Sequence, residues 1–369
     1  MGLSTKLQEL VMEKFNMTPD SWSMSRRGLL QGITGLASAA LATTAAGSNR
    51  TTGTAARSDI HMREHPKGGV ALPLIGLGTF FTFDLVPGAS RDHLKQVVRT
   101  YWDGGARVID TSPLYGSAQY TVGTILSELG IGDQAFLSDK VWATGEYFAD
   151  DSHAERSLAQ SQARLWREQI DLMHCHSLTA DISIIPLLSA WKKEGRIRQI
   201  GVSHNDNIYH SVLATWMERG AVDVVQLNYS IFNREAEKRL LPLAMEKGVA
   251  VHVNMPLEKA RLHKIVEGRP VPDFARHIAP DNWSQFFLKW VISHPAVHCA
   301  IPSTSNPNHA LENISALRGP LPDQTMRQKM VEYMETVPGF NDIGKTPQYP
   351  GKNYAGTIAR AIAKRQSRG

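Results

Sequence analysis

The sequence has little cysteine and little excess charge. Its two cysteines, Cys175 and Cys299, lie in separate apolar runs that nothing in the sequence brings together, so we predict two buried free thiols rather than a disulfide. The formal net charge is +5, and residues 320–369 hold eight Lys and Arg against four Asp and Glu, so the tail carries +4 of the excess. The remaining chain is nearly neutral, which argues against the basic surface that a nucleic-acid-binding protein needs.

Long hydrophobic runs are missing as well. The apolar run after Arg26 and Arg27, in SRRGLLQGITGLASAALATTAAG, is too short and too rich in Gly, Ser and Thr for a bilayer span. An arginine pair before such a run, with small residues near its end, is similar to a twin-arginine export signal. We therefore predict a signal peptide over residues 1–46, recognised by the twin-arginine export machinery, and a periplasmic mature protein without a membrane span. The alternative is an N-terminal extension with a chance arginine pair, which would leave the protein in the cytoplasm.

A glycine fingerprint for dinucleotides is also lacking. Gly76 and Gly78 in LIGLGTFF are followed by aromatic residues rather than by a third glycine, which disfavours the alternative of a doubly wound sheet. From residue 70 onward, apolar runs of buried-strand length alternate with amphipathic helical patterns. Eight such units predict an α/β fold, a (β/α)8 TIM barrel with a C-terminal extension. The predicted strands are residues 74–80, 107–112, 134–141, 170–177, 199–205, 223–231, 249–257 and 297–304, and helical patterns cover 90–105, 153–168 and 234–248.

The pattern also divides the chain into segments. Residues 47–68 are predicted to be a flexible linker and residues 69–320 the barrel. Residues 321–369 are predicted to begin with a helix and to end in a basic, solvated tail.

Ionisable side chains stand at the ends of successive predicted strands. Asp110 ends the second strand, Lys140 the third and His176 the fourth, and Tyr115 follows Asp110 in a turn with Gly116. Each residue alone is an ordinary structural residue. Because chemistry in a barrel gathers at the C-terminal ends of the strands, the convergence of four such groups favours an active site there.

Ordered motifs on these strands are more specific than any single residue. From about Gly69 to Leu317 the chain reads GLGTF, RVIDTSPLYGSA, LSDKVW, DLMHCHS, GRIRQIGVSHN, VVQLNYSIFNRE, NMPLEKARL and AIPSTSNPNHALENISA. In this order and spacing the chain resembles the aldo-keto reductases. The resemblance implies an oxidoreductase that reduces an aldehyde or ketone to an alcohol, or catalyses the reverse, with NADP(H) as cofactor and NAD(H) as the alternative.

The resemblance implies a catalytic tetrad of Asp110, Tyr115, Lys140 and His176. A free phenol has a pKa of about 10 and is a poor proton donor at neutral pH. We expect the Lys140 ammonium, held by Asp110, to lower the pKa of Tyr115 and so activate it as the general acid. His176 is expected to orient the substrate oxygen and to stabilise the charge that develops on it.

The implied cofactor residues include three departures from the family pattern. Asn254 stands where a tyrosine often stacks on the nicotinamide, and Ser303 and His309 stand where a lysine and an arginine grip the 2′-phosphate of NADP. Loss of these cations weakens the expected preference for NADPH. The implied set is Ser203, Asn205, Gln226, Asn254, Pro256, Leu257, Arg261, Ser303, Thr304, His309, Glu312 and Asn313, with no metal site. Two alternatives stay open: His204 instead of Asn205 for the asparagine that commonly follows Ser203, and Lys259 instead of Arg261 for the pyrophosphate.

Aromatic residues mark the expected substrate end of the site. Phe80 and Trp142 are predicted to line a pocket for an apolar carbonyl, and aromatic packing under a loop is the alternative. Tyr349 and Tyr354, in the C-terminal segment, are further candidates.

Two other functions compete with reduction. One is a cofactor-binding regulatory or partner protein of the same fold with little turnover. The other is a lyase or aldolase that uses Lys140 as a Schiff-base amine. Export adds one expectation, slow cofactor release, because the periplasm is not expected to regenerate reduced nicotinamide.

Overall fold

The structure is a computed structural model, and it describes residues 59–143, 150–279 and 282–367. The predicted signal peptide over residues 1–46 lies outside these ranges. The described strands are β1 Met62–Glu64, β2 Ala71–Pro73, β3 Leu77–Gly78, β4 Val108–Asp110, β5 Phe136–Val141, β6 Ile170–His176, β7 Ile197–Ser203, β8 Val224–Asn228, β9 Ala250–Asn254 and β10 Val297–Ala300. The described helices are α1 Asp92–Asp103, α2 Ala118–Glu128, α3 Ser152–Leu165, α4 Asp181–Lys193, α5 His210–Glu218, α6 Leu240–Lys247, α7 Arg261–Ile265, α8 Trp283–Ile292, α9 Pro307–Ser315, α10 Gln324–Glu335 and α11 Thr357–Gln366.

Strands β3 to β10 form one parallel sheet that pairs in chain order and closes into a barrel. Closure joins the first strand to the last, because Ile75 bridges Ala300 and Gly78 bridges Ser303, both in parallel. Gly78 permits this approach, since a Cβ atom there would lie 2.6 Å from the Ser303 hydroxyl oxygen. The predicted (β/α)8 barrel is confirmed. Seven of the eight predicted strands contain an observed strand, and the eighth, 199–205, overlaps β7, which begins two residues earlier at Ile197.

The helices follow the predicted patterns with one shift. Helix α1 buries Leu94, Val97, Val98 and Tyr101 on one face. The pattern over 234–248 predicts one helix, whereas α6 begins only at Leu240, after a short 3-10 turn at Glu235–Lys238. Pro242 explains the late start, because a proline has no N–H to donate and is tolerated only in the first turn of a helix.

A short hairpin covers the N-terminal end of the barrel. Strand β1 pairs antiparallel with β2, which lies just before the first barrel strand. Leu72 of this hairpin packs on an apolar cluster formed mostly by residues of the barrel strands. Three residues, MRE, are too few for a strand pattern, so this part of the predicted linker gave no sign of a strand. The other members of that cluster are Val108, Phe136, Leu172, Val224, Ala250, Cys299 and Ile301.

The two cysteines are free and buried, as predicted. Burial raises the pKa of both thiols, so neither is a reactive thiolate near neutral pH. No helix in the described part of the chain is long and apolar enough to cross a membrane.

The C-terminal segment runs back across the C-terminal mouth of the barrel. We call residues 346–356 the C-terminal strap. Beyond the strap, Asp84 holds the start of α11, because its carboxylate accepts hydrogen bonds from Thr357 Oγ1 at 2.6 Å and from Ile358 N at 2.7 Å. The strap is therefore tied to the loop that follows β3.

Candidate active site

A buried ion pair lies at the C-terminal ends of the adjacent strands β4 and β5. Lys140 Nζ lies 2.5 Å from Asp110 Oδ2, and the two side chains are 1% and 4% exposed. The other carboxylate oxygen of Asp110 accepts from Ser138 Oγ at 2.7 Å and from Gln226 Nε2 at 2.8 Å. Lys140 Nζ also donates to the Thr111 carbonyl oxygen at 2.9 Å. The carboxylate and the ammonium are thus fixed by several directed contacts each.

This pair keeps Lys140 protonated. Burial is the largest single influence and disfavours the ammonium, but the Asp110 carboxylate 2.5 Å away and the Tyr115 phenol together outweigh it, so the pKa of Lys140 is raised. A Schiff-base lysine must be uncharged to attack a carbonyl. The lyase or aldolase alternative is therefore disfavoured.

Tyr115 lies in the turn after β4, above the ion pair. Its ring centroid is 5.1 Å from Lys140 Nζ and 5.7 Å from the His176 ring, which it meets edge to face at 81°. Gly116, with a φ of +62°, makes the turn possible, since a Cβ atom there would lie 2.2 Å from Asp84 Oδ1. The turn therefore fixes the phenol between an ammonium and an imidazole.

The expected lowering of the Tyr115 pKa is not met. Burial raises the pKa of Tyr115, and the Lys140 ammonium opposes this rise without overcoming it. Burial is the main cause of this outcome, and the nearby Asp110 carboxylate adds to it by opposing the ammonium charge. The phenol is consequently held in its protonated form.

His176 is a neutral imidazole at the same mouth. Burial, together with the Lys140 charge, lowers the pKa of His176 to about 3. Its Nδ1 lies 3.0 Å from Ser112 Oγ, and that hydroxyl oxygen accepts from the Leu114 N–H at 3.2 Å. Ser112 therefore orients the ring.

A cavity of about 830 Å³ opens above these groups. Its volume falls within the range of about 300–1,000 Å³ that is usual for small-molecule sites. Asp110, Tyr115 and His176 line it, whereas Lys140 lies buried behind them. The structure brings nearly all of the predicted cofactor and substrate residues to this cavity. Those lining it are Phe80, Ser203, Asn205, Gln226, Asn254, Pro256, Leu257, Ser303, Thr304, His309, Glu312 and Asn313, together with Tyr349 and Tyr354.

Arg261 was predicted to bind the cofactor, and the structure corrects this prediction, because Arg261 does not line the cavity. Its guanidinium donates to Glu258 Oε2 at 2.7 Å and to the Ile343 carbonyl oxygen at 2.9 Å, so it holds the segment that leads into the strap. The loop after β9 turns through three consecutive left-handed residues, 258–260, which direct Arg261 away from the mouth. Lys259 lines the cavity in its place.

The prediction that Trp142 lines the substrate pocket is the second one that the structure corrects. It is 41% exposed and is not among the residues that line the cavity. Strand β5 ends at Val141, so the alternation that points Lys140 inward does not extend to Trp142.

The cavity wall fits a ligand that carries a carboxamide. Asn254 Oδ1 is buried beside the cavity and accepts no hydrogen bond from the described residues. An acceptor of this kind is costly unless a donor reaches it. The amide nitrogen of Gln226 donates to Asp110, and the carbonyl oxygen of Gln226 is a second acceptor. The two amide N–H groups of a nicotinamide carboxamide match these acceptors.

Two positioning residues were absent from the sequence predictions, although the sequence held a signal for them. Ser138 lies two residues before Lys140 and Ser112 two residues after Asp110. Strand alternation places Ser138 on the same face as Lys140. No sequence signal pointed to Lys352 of the strap, which also lines the cavity.

Comparison with known proteins places the chain in a protein family. The model of the Aldo/keto reductase family matches residues 74–330, which contain all four tetrad residues. The chain is 26% identical over 332 residues to the NADH-specific methylglyoxal reductase of Escherichia coli (strain K12), a match that covers 74% of this chain and 100% of that protein. It is 31% identical over 216 residues to the L-galactose dehydrogenase of Arabidopsis thaliana, covering 54% of this chain and 66% of that protein.

Solved structures agree on the fold. An aldo/keto reductase from Klebsiella pneumoniae in complex with NADP and acetate superposes with a TM-score of 0.60 and 24% identity, covering 75% of this chain and 95% of that one. The family match ends at residue 330. The C-terminal strap therefore lies beyond it.

Proposed function

The chain belongs to the aldo/keto reductase family and is an NAD(P)-dependent oxidoreductase, and we propose that it reduces an aldehyde or ketone to an alcohol, or catalyses the reverse, at the mouth of the barrel. One observation carries this proposal. The buried Lys140–Asp110 pair lies next to the phenol of Tyr115, which faces a cavity large enough for a small-molecule ligand. A bound nicotinamide supplies or accepts the hydride, and the protein supplies its position and the proton. Gln226 and Asn254 hold its carboxamide, with Ser203 beside them.

Tyr115 is the general acid in the direction of reduction. Its O–H bond breaks and the proton passes to the carbonyl oxygen as the carbonyl carbon receives the hydride. The phenolate that remains is stabilised by the Lys140 ammonium, whose charge Asp110 maintains. In the direction of oxidation the same phenolate accepts the alcohol proton.

His176 orients the substrate oxygen. The Leu114 N–H donates to Ser112 Oγ, so we assign the Ser112 hydroxyl as the donor to His176 Nδ1. This assignment places the imidazole proton on Nε2. Nε2–H then donates to the carbonyl oxygen beside Tyr115, where negative charge develops.

The wall of the cavity supports a small carbonyl substrate with an apolar part. Phe80 packs against Tyr115 with ring centroids 5.0 Å apart, and Leu114 lies beside them on the cavity wall. A relative that matches over its whole length is named as a methylglyoxal reductase that is specific for NADH. Methylglyoxal is therefore the first substrate to test, and NADH belongs in the test beside NADPH.

A carbonyl panel tests the proposal. The purified chain is mixed with NADPH or NADH and each carbonyl, and oxidation of the nicotinamide is followed by absorbance. We expect turnover with at least one carbonyl and its loss in Tyr115→Phe. Absence of binding of either nucleotide to the wild-type protein would overturn the proposal and favour a barrel that has become a partner protein.

We also propose that residues 1–46 are a twin-arginine export signal and that the mature protein is periplasmic. The support is the arginine pair Arg26-Arg27 before an apolar run rich in small residues. The test is cell fractionation of the full chain beside the double variant Arg26→Lys, Arg27→Lys. The wild type is expected in the periplasm and the variant in the cytoplasm. Equal distribution of the two would contradict an export role for the arginine pair.

A further inference from the structure

The cavity has a second end, away from the tetrad. It is formed by α7, the start of α8 and α9, and His263, Ser284 and His309 line it. A dinucleotide whose nicotinamide lies at Tyr115 has its adenosine at this end. The adenosine end of NADPH differs from that of NADH by one 2′-phosphate, so a cation placed here decides between the two nucleotides.

Three lysines line the cavity, and two of them have partners. Lys264 Nζ lies 2.5 Å from Glu267 Oε2, and Lys259 Nζ donates to Gln348 Oε1 at 2.9 Å. Lys352 is the third. Across the part of the chain that the structure describes, no carboxylate lies within ion-pair distance of the Lys352 ammonium.

The strap holds Lys352 at this place. Tyr349 N donates to the Lys259 carbonyl oxygen at 3.0 Å, which joins the strap to the loop after β9. Lys352 N donates to the Tyr349 carbonyl oxygen at 3.1 Å, so residues 349–352 form a turn, with Gly351 at a φ of +67°. Tyr354 then stacks on Phe81, with ring centroids 5.1 Å apart and planes at 17°. Both sides of the turn are thus anchored.

The charge of Lys352 reaches the two histidines at the adenosine end. Burial lowers the pKa of His263 to about 4 and also lowers the pKa of His309, and in both cases the Lys352 ammonium adds to the effect of burial. Glu312 is the acid that faces them, and it accepts from Ser284 Oγ at 3.3 Å. Two neutral imidazoles, the Glu312 carboxylate and the Lys352 ammonium therefore face this end of the cavity, next to the paired Lys264 and Glu267.

We propose that Lys352 is the specificity residue for the nucleotide: it binds the 2′-phosphate of NADPH from the C-terminal strap, in place of the cations that positions 303 and 309 lack. This inference rests on the proposed function, because it places a nicotinamide nucleotide in the cavity. It goes beyond that function, because it assigns the choice of nucleotide to a segment outside the family match, which ends at residue 330.

Nucleotide binding tests this directly. Dissociation constants for NADPH and NADH are measured by calorimetry for the wild type, Lys352→Gln and Lys352→Arg, at two salt concentrations. The matched control is Lys345→Gln, a lysine of the same segment that is 83% exposed, pairs with Asp342 at 2.8 Å and is not among the residues that line the cavity. We expect Lys352→Gln to weaken NADPH about tenfold and NADH less than about twofold, with Lys352→Arg close to wild type.

The salt dependence gives a second readout. The affinity for NADPH is expected to fall less steeply with salt in Lys352→Gln than in the wild type or in the Lys345→Gln control. An equal loss for both nucleotides, or no loss, would overturn the inference while leaving the oxidoreductase function in place. Absence of binding of both nucleotides to the wild type would instead mean that the proposed function itself has failed.

Discussion

The two ends of the barrel both bury polar side chains, and they do so in opposite ways. At the N-terminal end, His65 Nδ1 lies 3.0 Å from Gln199 Oε1, and its Nε2 lies 3.2 Å from His252 Nε2. Burial lowers the pKa of His65 and His252, and it lowers that of His298 to about 4. At the C-terminal end, Lys140 keeps its charge in a buried ion pair with Asp110.

This difference separates packing from chemistry. The histidines at the N-terminal end are neutral and contact one another, and one of them, His65, belongs to the hairpin that covers this end. At the C-terminal end, an ion pair lies beside a phenol and an imidazole, and the phenol and the imidazole face the cavity. Burial of polar groups is therefore common to both ends, whereas retained charge next to a cavity marks the active site.

The largest expected effect comes from removing the phenol oxygen of Tyr115 at the C-terminal end of the barrel. Tyr115→Phe keeps the ring packed between Phe80 and His176 but removes the proton donor. We expect kcat to fall by about 10²–10⁴-fold with nucleotide affinity unchanged. The matched control is Tyr120→Phe, whose ring is 50% exposed, and it should retain wild-type activity. A variant at position 115 with more than a tenth of the wild-type kcat would show that the phenol is not the acid.

Lys140→Met tests the ion pair through stability. The change leaves Asp110 buried without its ammonium, and breaking a buried pair in this way costs about 3–5 kcal/mol of unfolding free energy. Lys95→Met breaks the exposed pair with Glu128 and should cost about 0.2–1 kcal/mol. Urea unfolding measures both. Equal losses of unfolding free energy would mean that the buried Lys140–Asp110 pair contributes no more to stability than the exposed Lys95–Glu128 pair.

The histidine cluster at the N-terminal end of the barrel should affect stability without affecting catalysis. His65→Phe removes the contacts to Gln199 and His252 and leaves both unpaired, at a cost of about 1–3 kcal/mol. The activity per folded molecule should be unchanged. His93→Phe, on the exposed face of α1, is the control and should stay within about 0.5 kcal/mol of wild type. A loss of kcat in His65→Phe would break the distinction between the two ends.

The same cluster makes the fold sensitive to acid. The pKa values of His65, His252 and His298 are lower in the folded chain than in the unfolded chain, so only the unfolded chain gains these protons as pH falls below about 6.5. The unfolding free energy should therefore fall, by up to about 1.4 kcal/mol per pH unit for each histidine. Urea unfolding at about pH 7.5 and about pH 5.5 measures this. The slope should be shallower in His65→Phe, and identical slopes would contradict the account.

The smallest expected effect is on the pH profile of reduction. His176 has a pKa of about 3 and stays neutral, and burial keeps the phenol of Tyr115 protonated above its ordinary range. The kcat for reduction should therefore be flat between about pH 5 and about pH 8. The kcat for oxidation should rise with pH, because it needs the phenolate. A midpoint near neutral pH in the reductive profile would assign the proton to another group.

The barrel and the tetrad could be predicted from the sequence because their signals are local. A buried strand is a continuous apolar run, and the residue at its end lies at the mouth whatever the loops do. Asp110, Lys140 and His176 were found in this way. The family motifs added the cofactor residues of the loops, which no periodicity marks.

Residues in irregular loops and distant segments could not be placed in the same way. Arg261 belongs to a loop with left-handed backbone, where a motif fixes the position in the chain but not the direction of the side chain. Lys352 comes from a segment that returns across the mouth, and only the contacts at Lys259 and Phe81 show where it lies. The net pKa of Tyr115 depends on burial and on Asp110, which a list of neighbours along the chain does not provide.

One measurement tests the central claim most directly. The purified chain is given a reduced nicotinamide nucleotide that carries deuterium in the transferred position, together with the carbonyl panel that begins with methylglyoxal, and the products are analysed by mass spectrometry. The account predicts an alcohol with one deuterium in each molecule, formed by the wild type and lost in Tyr115→Phe. An alcohol without deuterium would contradict hydride transfer from the nucleotide, and the same yield from Tyr115→Phe would contradict Tyr115 as the proton donor.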